Sequence, residues 1–159
     1  MALIQPGAIA PDFRLPSGPG EAVSLSSLRG RRPILVFYPA DFSPVCTDQL
    51  AVYNEILPDV LELHGSLVGI SVDGIWAHRA FAEAKRLRFP LASDFEPKGA
   101  VSRRYGAYRE REGVSERALV VVDERGVVAW SFLSPIGVNP GADGFLGALE
   151  ALERRAASP

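Results

Sequence analysis

The strongest constraint on this chain is "PILVFYP", Pro33 to Pro39, an unbroken apolar and aromatic run closed by a proline at each end. A strand with no polar alternation has no face to offer water, so it belongs in the covered interior of a sheet. "SLVGISVD", Ser66 to Asp73, is a second buried strand. Between the two the spacing becomes helical: Leu50, Tyr53, Asn54 and Leu57 follow i, i+3, i+4, i+7, with Leu61 one turn further on. Pro58 falls inside this helix and removes the hydrogen bond to the Asn54 carbonyl, which predicts a kink near Ile56.

Upstream, "LPSGPGEAVSLSSLRGRRP" reads as a hairpin turn, a short strand at Ala22–Leu25, a brief helical turn and an exposed loop. Arg29, Arg31 and Arg32 of that loop are expected to face solvent. Downstream, a helix runs through "IWAHRAFAEAKRL", and "FPLASDFEPKGAVSRRYGA" reads as irregular apart from one short helix near Lys98–Arg104. "ERALVVVDERGVVAWSFLSP" predicts two antiparallel strands around the turn "DERG". The chain closes on an amphipathic helix whose Phe145, Leu146, Leu149 and Leu152 share a face. The order is βαβα, a short helix, then ββα. It implies a mixed central sheet with helices on both faces, parallel first and antiparallel at the closing hairpin. That is the order of a thioredoxin-like α/β fold with an N-terminal β-hairpin extension. With no linker, repeat or low-complexity block, residues 1–159 are read as a single domain.

Composition narrows the function classes. A net charge of −2 supplies no basic field for nucleic acid. No apolar run reaches the ~18 residues that cross a bilayer. "MALIQPGAIAPDF" lacks a basic leader and is broken by Pro6 and Pro11, so it is not read as a secretory signal. With one cysteine and no export signal, the reducing cytoplasm is the expected location. His64 and His78 are the only histidines, and no metal-ligand cluster stands out.

The cysteine lies in "FYPADFSPVCTDQL". A lone cysteine forms no internal disulfide, so Cys46 is either inert filler or a reagent. Taken alone, a free cysteine is more often filler, since it is among the most buried residue types. Its neighbours argue otherwise. Ser43 is an N-cap candidate and Pro44 suits the first helical position, which puts Val45 second and Cys46 third. Free backbone N–H groups and the positive end of the helix dipole meet there and favour an anion, so thiolate is favoured over thiol. Ser43, Cys46 and Gln49 are three apart and fall near one side of the first turns. Ser43 is then placed to donate to a bound oxygen.

The pattern Pro39-Ala-Asp-Phe-Ser43-Pro-Val-Cys46 is similar to the Pro-x-x-x-(Thr/Ser)-x-x-Cys signature of the peroxiredoxins. The likeness covers nearly the whole chain: "GAIAPDFRLP" resembles the family's N-terminal entry, "GISVD" its next strand, and "FPLASDF" its Phe-Pro-Leu-x-x-Asp segment. "SERALVVVDERGVV" resembles the strand that delivers an active-site arginine, which makes Arg117 the matching residue. Gln49 matches a position whose Glu, Gln or His holds that arginine. The resemblance implies a thiol-dependent peroxidase acting on hydrogen peroxide and organic hydroperoxides through a Cys46 sulfenic acid. Arg117, the Ser43 hydroxyl and the Val45 and Cys46 amides would face the reacting oxygens, with Pro39 packed over the thiolate. It implies no cofactor. Where some relatives carry a resolving cysteine five residues on, this chain has Ala51. A one-cysteine type is therefore expected, of the AhpE-like or bacterioferritin-comigratory-protein-like branch. The reductant would then be external: thioredoxin, a glutaredoxin-like protein or a low-molecular-weight thiol. Phe42 and Trp76 are read either as ordinary packing residues or, by the same resemblance, as part of a homodimer face.

Two rival readings stay open at this point. In a thioredoxin-type disulfide exchanger "SPVC" would stand where Cys-x-x-Cys does, but Ser43 replaces the attacking cysteine and dithiol exchange is unavailable. A non-catalytic redox sensor or chaperone-like binding module on the same fold leaves the Ser43–Cys46–Gln49 alignment without a purpose.

Overall fold

The computed structural model describes residues 2–157. Chain order runs β1 (Arg14–Gly18), β2 (Glu21–Ser24), a 3-10 turn at Ser26–Leu28, β3 (Arg32–Phe37), α1 (Pro44–Glu55), α2 (Leu57–Glu62) and β4 (Gly65–Ser71). It continues through α3 (Ile75–Lys85), β5 (Leu91–Ser93), α4 (Ala100–Arg104), β6 (Tyr108–Arg109), β7 (Val114–Ser115), β8 (Ala118–Val122), β9 (Val128–Leu133) and α5 (Asp143–Ala157). Five strands form the central sheet in the order β5-β4-β3-β8-β9, while β1 and β2 make the separate N-terminal hairpin. β3 is buried at every residue, as its unbroken apolar run demands. It pairs parallel with β4 and antiparallel with β8.

Alternation along β3 sends side chains to two cores. Leu35 and Phe37 join Phe13, Leu15, Val101 and Tyr105, so the hairpin and α4 cover that face. Ile34 and Val36 join Leu50, Tyr53, Phe81, Phe145 and Leu149, so α1, α3 and α5 cover the other. The mixed sheet, the helices on both faces and the hairpin extension all match the reading of the sequence.

Three local expectations change. At Ile56 the helix breaks outright: α1 ends, and α2 restarts with Pro58 in its first turn, where a missing N–H costs nothing. The restart shifts the helical phase, so Val60 takes the buried position and Leu61 is half exposed. Within "FPLASDF" a strand appears, β5, pairing with β4 over three residues. It is too short to show a period, and only the neighbouring edge makes it a strand. Arg32 is the larger correction. It is not a solvated loop residue but the first residue of β3, buried, and ion-paired to Glu124 and Glu153. Its Nη1 also donates to the Leu63 carbonyl at 3.0 Å. Fork geometry lets one guanidinium bind the β8–β9 turn, α5 and the α2–β4 junction together.

Replacing Arg32 by alanine strands two carboxylates that still reach water, so the expected loss is about 2 kcal/mol, less than for a fully buried pair. Glu153 is held below the ordinary carboxylate value by its hydrogen bond from Arg32, then by that from His64. A depressed carboxylate contributes stability above its unfolded value and loses it as pH falls through the folded one. The Arg32→Ala penalty in urea unfolding should therefore be largest at neutral pH and shrink in acid. An equal penalty in both would contradict the clamp.

Candidate active site

Register brings the two halves of the site together. Phe37, the last residue of β3, pairs with Ala118, the first of β8. The segment that emerges from β3 into residues 39–46 therefore lies beside Arg117, although 71 positions separate Arg117 from Cys46. Arg117 Nη1 donates to Cys46 Sγ at 3.2 Å and to Gln49 Oε1 at 2.8 Å. Its Nε donates to the Ile136 carbonyl at 2.8 Å. Cys46, Gln49 and Arg117 are all buried. In so dry a place a guanidinium needs every acceptor it has.

α1 presents the sulfur as the spacing predicts. Ser43 occupies the N-cap in an extended conformation and Pro44 the first helical position. The first intrahelical bond runs from the Thr47 amide to the Ser43 carbonyl at 2.9 Å. Neither the Val45 nor the Cys46 amide finds an acceptor among the described residues. Free donors at a helix start favour negative charge beside them. The Ser43 hydroxyl departs from expectation: it makes no cap bond and donates to the Ala40 carbonyl at 3.0 Å. Its hydrogen is thus committed within the loop, and its lone pairs remain. Pro39 and Val45 are half-buried on the same segment.

The loop itself is strained and braced. Phe42 has φ 66°, a left-handed conformation that costs a residue with a Cβ about 1–2 kcal/mol. Asp41 beside it is pinned at three points. Tyr38 Oη donates to Oδ1 at 2.6 Å, His78 Nδ1 meets Oδ2 at 2.7 Å, and the Asp41 amide donates to Asp73 Oδ2 at 2.9 Å. His78 Nε2 faces the Ala92 carbonyl at 3.1 Å, so α3, β5 and the loop are tied through one ring. Burial first, then the Asp41 charge, push the Tyr38 phenol well above its usual value, keeping it a neutral donor. These braces were not legible in the sequence, where His78 lies 37 positions from Asp41 and only a periodic α3 signal surrounds it. Asp41, Asp73 and His78 do converge, contrary to the expectation of no ligand cluster: one ligand-capable atom from each lies within 4.8 Å of the others. Those atoms already engage Tyr38, Ser71 and one another.

Comparison with known proteins matches this geometry to a family. Residues 6–131 match the AhpC/TSA family. This chain belongs to the AhpC/TSA family, the peroxiredoxins. The peroxiredoxin is 34% identical to alkyl hydroperoxide reductase E of Mycobacterium tuberculosis, over 85% of this chain and 89% of that protein. It is 30% identical to peroxiredoxin 2 of Thermoplasma acidophilum, over 96% of this chain and 80% of that one. Among solved structures it superposes on the peroxidoxin BcpB of M. tuberculosis with a TM-score of 0.85 and 31% identity, covering 94% of this chain and 98% of that one. The peroxiredoxin is a thiol-dependent peroxidase that takes a hydroperoxide and a thiol reductant, and its single cysteine fits a one-cysteine mechanism.

Removing the His78 ring should leave Asp41 with one brace fewer and free the strained turn. In His78→Ala, amide hydrogen exchange at residues 40–43 is expected to quicken, and stability to fall by about 1–3 kcal/mol. Unchanged exchange there would show that the loop holds without the ring.

Proposed function

We propose that Cys46 is the peroxide-reactive sulfur of this peroxidase, with Arg117, Ser43, Pro39, Gln49 and the Val45 and Cys46 amides forming the pocket around the reacting oxygens. The observation that carries the reading is the 3.2 Å hydrogen bond from Arg117 to the sulfur. A fixed cation and unshared amide donors beside one sulfur suit a reaction in which negative charge spreads over sulfur and two oxygens. Nη2 of Arg117 makes no hydrogen bond among the described residues, so a pair of donors is available for a peroxide oxygen. Ser43, its own hydrogen given to Ala40, would accept from the hydroperoxide O–H. Pro39 would limit water over the sulfur, and Gln49 holds Arg117 in place.

The thiolate attacks one oxygen in line with the O–O bond. An S–O bond forms, the O–O bond breaks, and the sulfur loses two electrons. The departing oxygen takes a proton and leaves as water or an alcohol. An external thiol then condenses with the sulfenic acid, releasing water and leaving a mixed disulfide. A second thiol returns Cys46 to the reduced state as the reductant is oxidised. Thioredoxin, a glutaredoxin-like protein or a low-molecular-weight thiol has the right chemistry. Cys46 is fully buried in this conformation. A bulky thiol therefore reaches it only when residues 39–47 open.

The same reading places the enzyme, a single domain, in the cytoplasm as a homodimer. Phe42 and Trp76, 53% and 64% exposed, support a dimer face beside the active-site loop. Phe42 packs against Phe81 of α3, the helix that carries Trp76, with ring centroids 5.0 Å apart and planes tilted by 59°.

One equivalent of hydrogen peroxide should consume the Cys46 thiol stoichiometrically, and excess peroxide without a reductant should add two or three oxygens to Cys46 by mass. Arg117→Ala should slow the first step about 100-fold or more. A rate within a factor of two of the parent would remove Arg117 from the scheme.

A further inference from the structure

Gln49 poses a problem that a carboxylate in its place would not. A side-chain amide has one accepting end and one donating end, and only the accepting end can serve a guanidinium. Something must decide which way it faces. The amide carbon lies in a site without water access, where a wrong choice would set N–H against N–H.

The geometry points to Tyr53 as the positioning residue that sets the Gln49 amide, and through it the Arg117 guanidinium, for attack at Cys46. Hydrogen-bond polarity sets the arrangement. The Gly141 carbonyl can only accept, so the Tyr53 hydroxyl, 2.8 Å away, must donate to it. With its one hydrogen spent, the phenol oxygen can only accept, and Gln49 Nε2 meets it at 3.0 Å. The amide nitrogen is thereby fixed on the Tyr53 side, which leaves Oε1 for Arg117 Nη1 at 2.8 Å. The direction of every bond, from a backbone carbonyl to the guanidinium that touches the sulfur, follows from the first.

The ends of this chain are held. Gly141 has φ 69°, a conformation open to glycine that turns its carbonyl toward α1 just before α5 begins. Tyr53 follows Gln49 by one helical turn and packs edge-on against Phe145, ring centroids 5.0 Å apart. Burial pushes the Tyr53 phenol up to about 12, against the Gln49 hydrogen bond and the Arg117 charge that pull it down. It therefore stays protonated over the working range, and its donor role does not lapse. The loop of residues 134–142 thus grips the site twice, at Arg117 through the Ile136 carbonyl and at Gln49 through Tyr53.

The inference rests on Arg117 acting at Cys46, and the test separates the two. The rate of Cys46 thiol loss with hydrogen peroxide is measured for the parent, Tyr53→Phe, Gln49→Glu and the double variant, each checked for a folded spectrum. Tyr53→Phe should slow the parent about tenfold, as loss of an orienting bond to a catalytic donor does. In the Gln49→Glu background the same change should alter the rate less than twofold, because a carboxylate presents an acceptor to Arg117 whichever way it turns. Equal slowing in both backgrounds would make Tyr53 a packing residue and overturn the proposal, as would no slowing in the parent. If Arg117→Ala leaves the rate unchanged, the underlying reading fails instead. A measurement on the parent that needs no Tyr53 variant covers the case in which Tyr53→Phe does not fold. The Gln49 side-chain amide, assigned by its loss in Gln49→Glu, should exchange far more slowly than an exposed glutamine. Exchange at the exposed rate would also overturn the proposal.

Discussion

A guanidinium buried against a sulfur atom is the interaction around which this molecule is arranged. Taking a charged Arg117 out of water costs several kcal/mol unless each of its donors is met. Cys46 and Gln49, one turn apart on α1, accept from Nη1 and the Ile136 carbonyl accepts from Nε, while Nη2 makes no hydrogen bond among the described residues. The antiparallel register of β3 and β8 delivers the arginine to the mouth of the cysteine loop. The continuation past β9 then returns over the same end of the sheet, its Ser134 amide bonded to the Arg117 carbonyl at 2.9 Å. The sheet supplies the coincidence, and α1 and the segment after β9 supply the acceptors.

The loop that carries the sulfur is held by polar contacts that have nothing to do with sulfur chemistry. Phe42 sits in a costly backbone conformation, and Asp41 keeps it there through Tyr38, His78 and Asp73. Strain of this kind persists only where the surroundings over-determine it. The opposite side of the site has a matching arrangement, a run of hydrogen bonds from Gly141 through Tyr53 to Gln49. Between the two, the first turn of α1 is left with amides that have no acceptor among the described residues. Rigid flanks around an unsatisfied helix start make a preorganised place for developing negative charge.

Legibility followed the range of the interaction. The buried strands, the terminal amphipathic helix and the helix start at Pro44 are consequences of residues a few positions apart, and local rules found them; Pro58 marked a kink near Ile56, where the helix in fact breaks and restarts. The Pro39–Cys46 pattern, together with the resemblance it carries, marked Cys46, Ser43, Gln49 and Arg117 before any geometry was known. What escaped was non-local. β5 is a strand because β4 has an open edge beside it. Arg32 reads as one more basic residue in a loop until α5 and the β8–β9 turn bring Glu153 and Glu124 to it. Tyr53 announced itself only as an apolar position on α1, since aromatic spacing says nothing about where a hydroxyl points.

By itself, the sequence determined most of the strands and helices, the place of the single thiol at the third position of a helix start, and that no second cysteine of this chain can answer it. These are matters of chemical identity and short-range periodicity, written directly in the order of residues. The tertiary structure alone decided that the guanidinium, the amide and the sulfur share one buried point, that the serine hydroxyl turns inward to Ala40, and that a tyrosine orients the glutamine. Hydrogen bonds have direction and a reach of about 3 Å, and only a packed sheet with a set register brings distant residues within that reach.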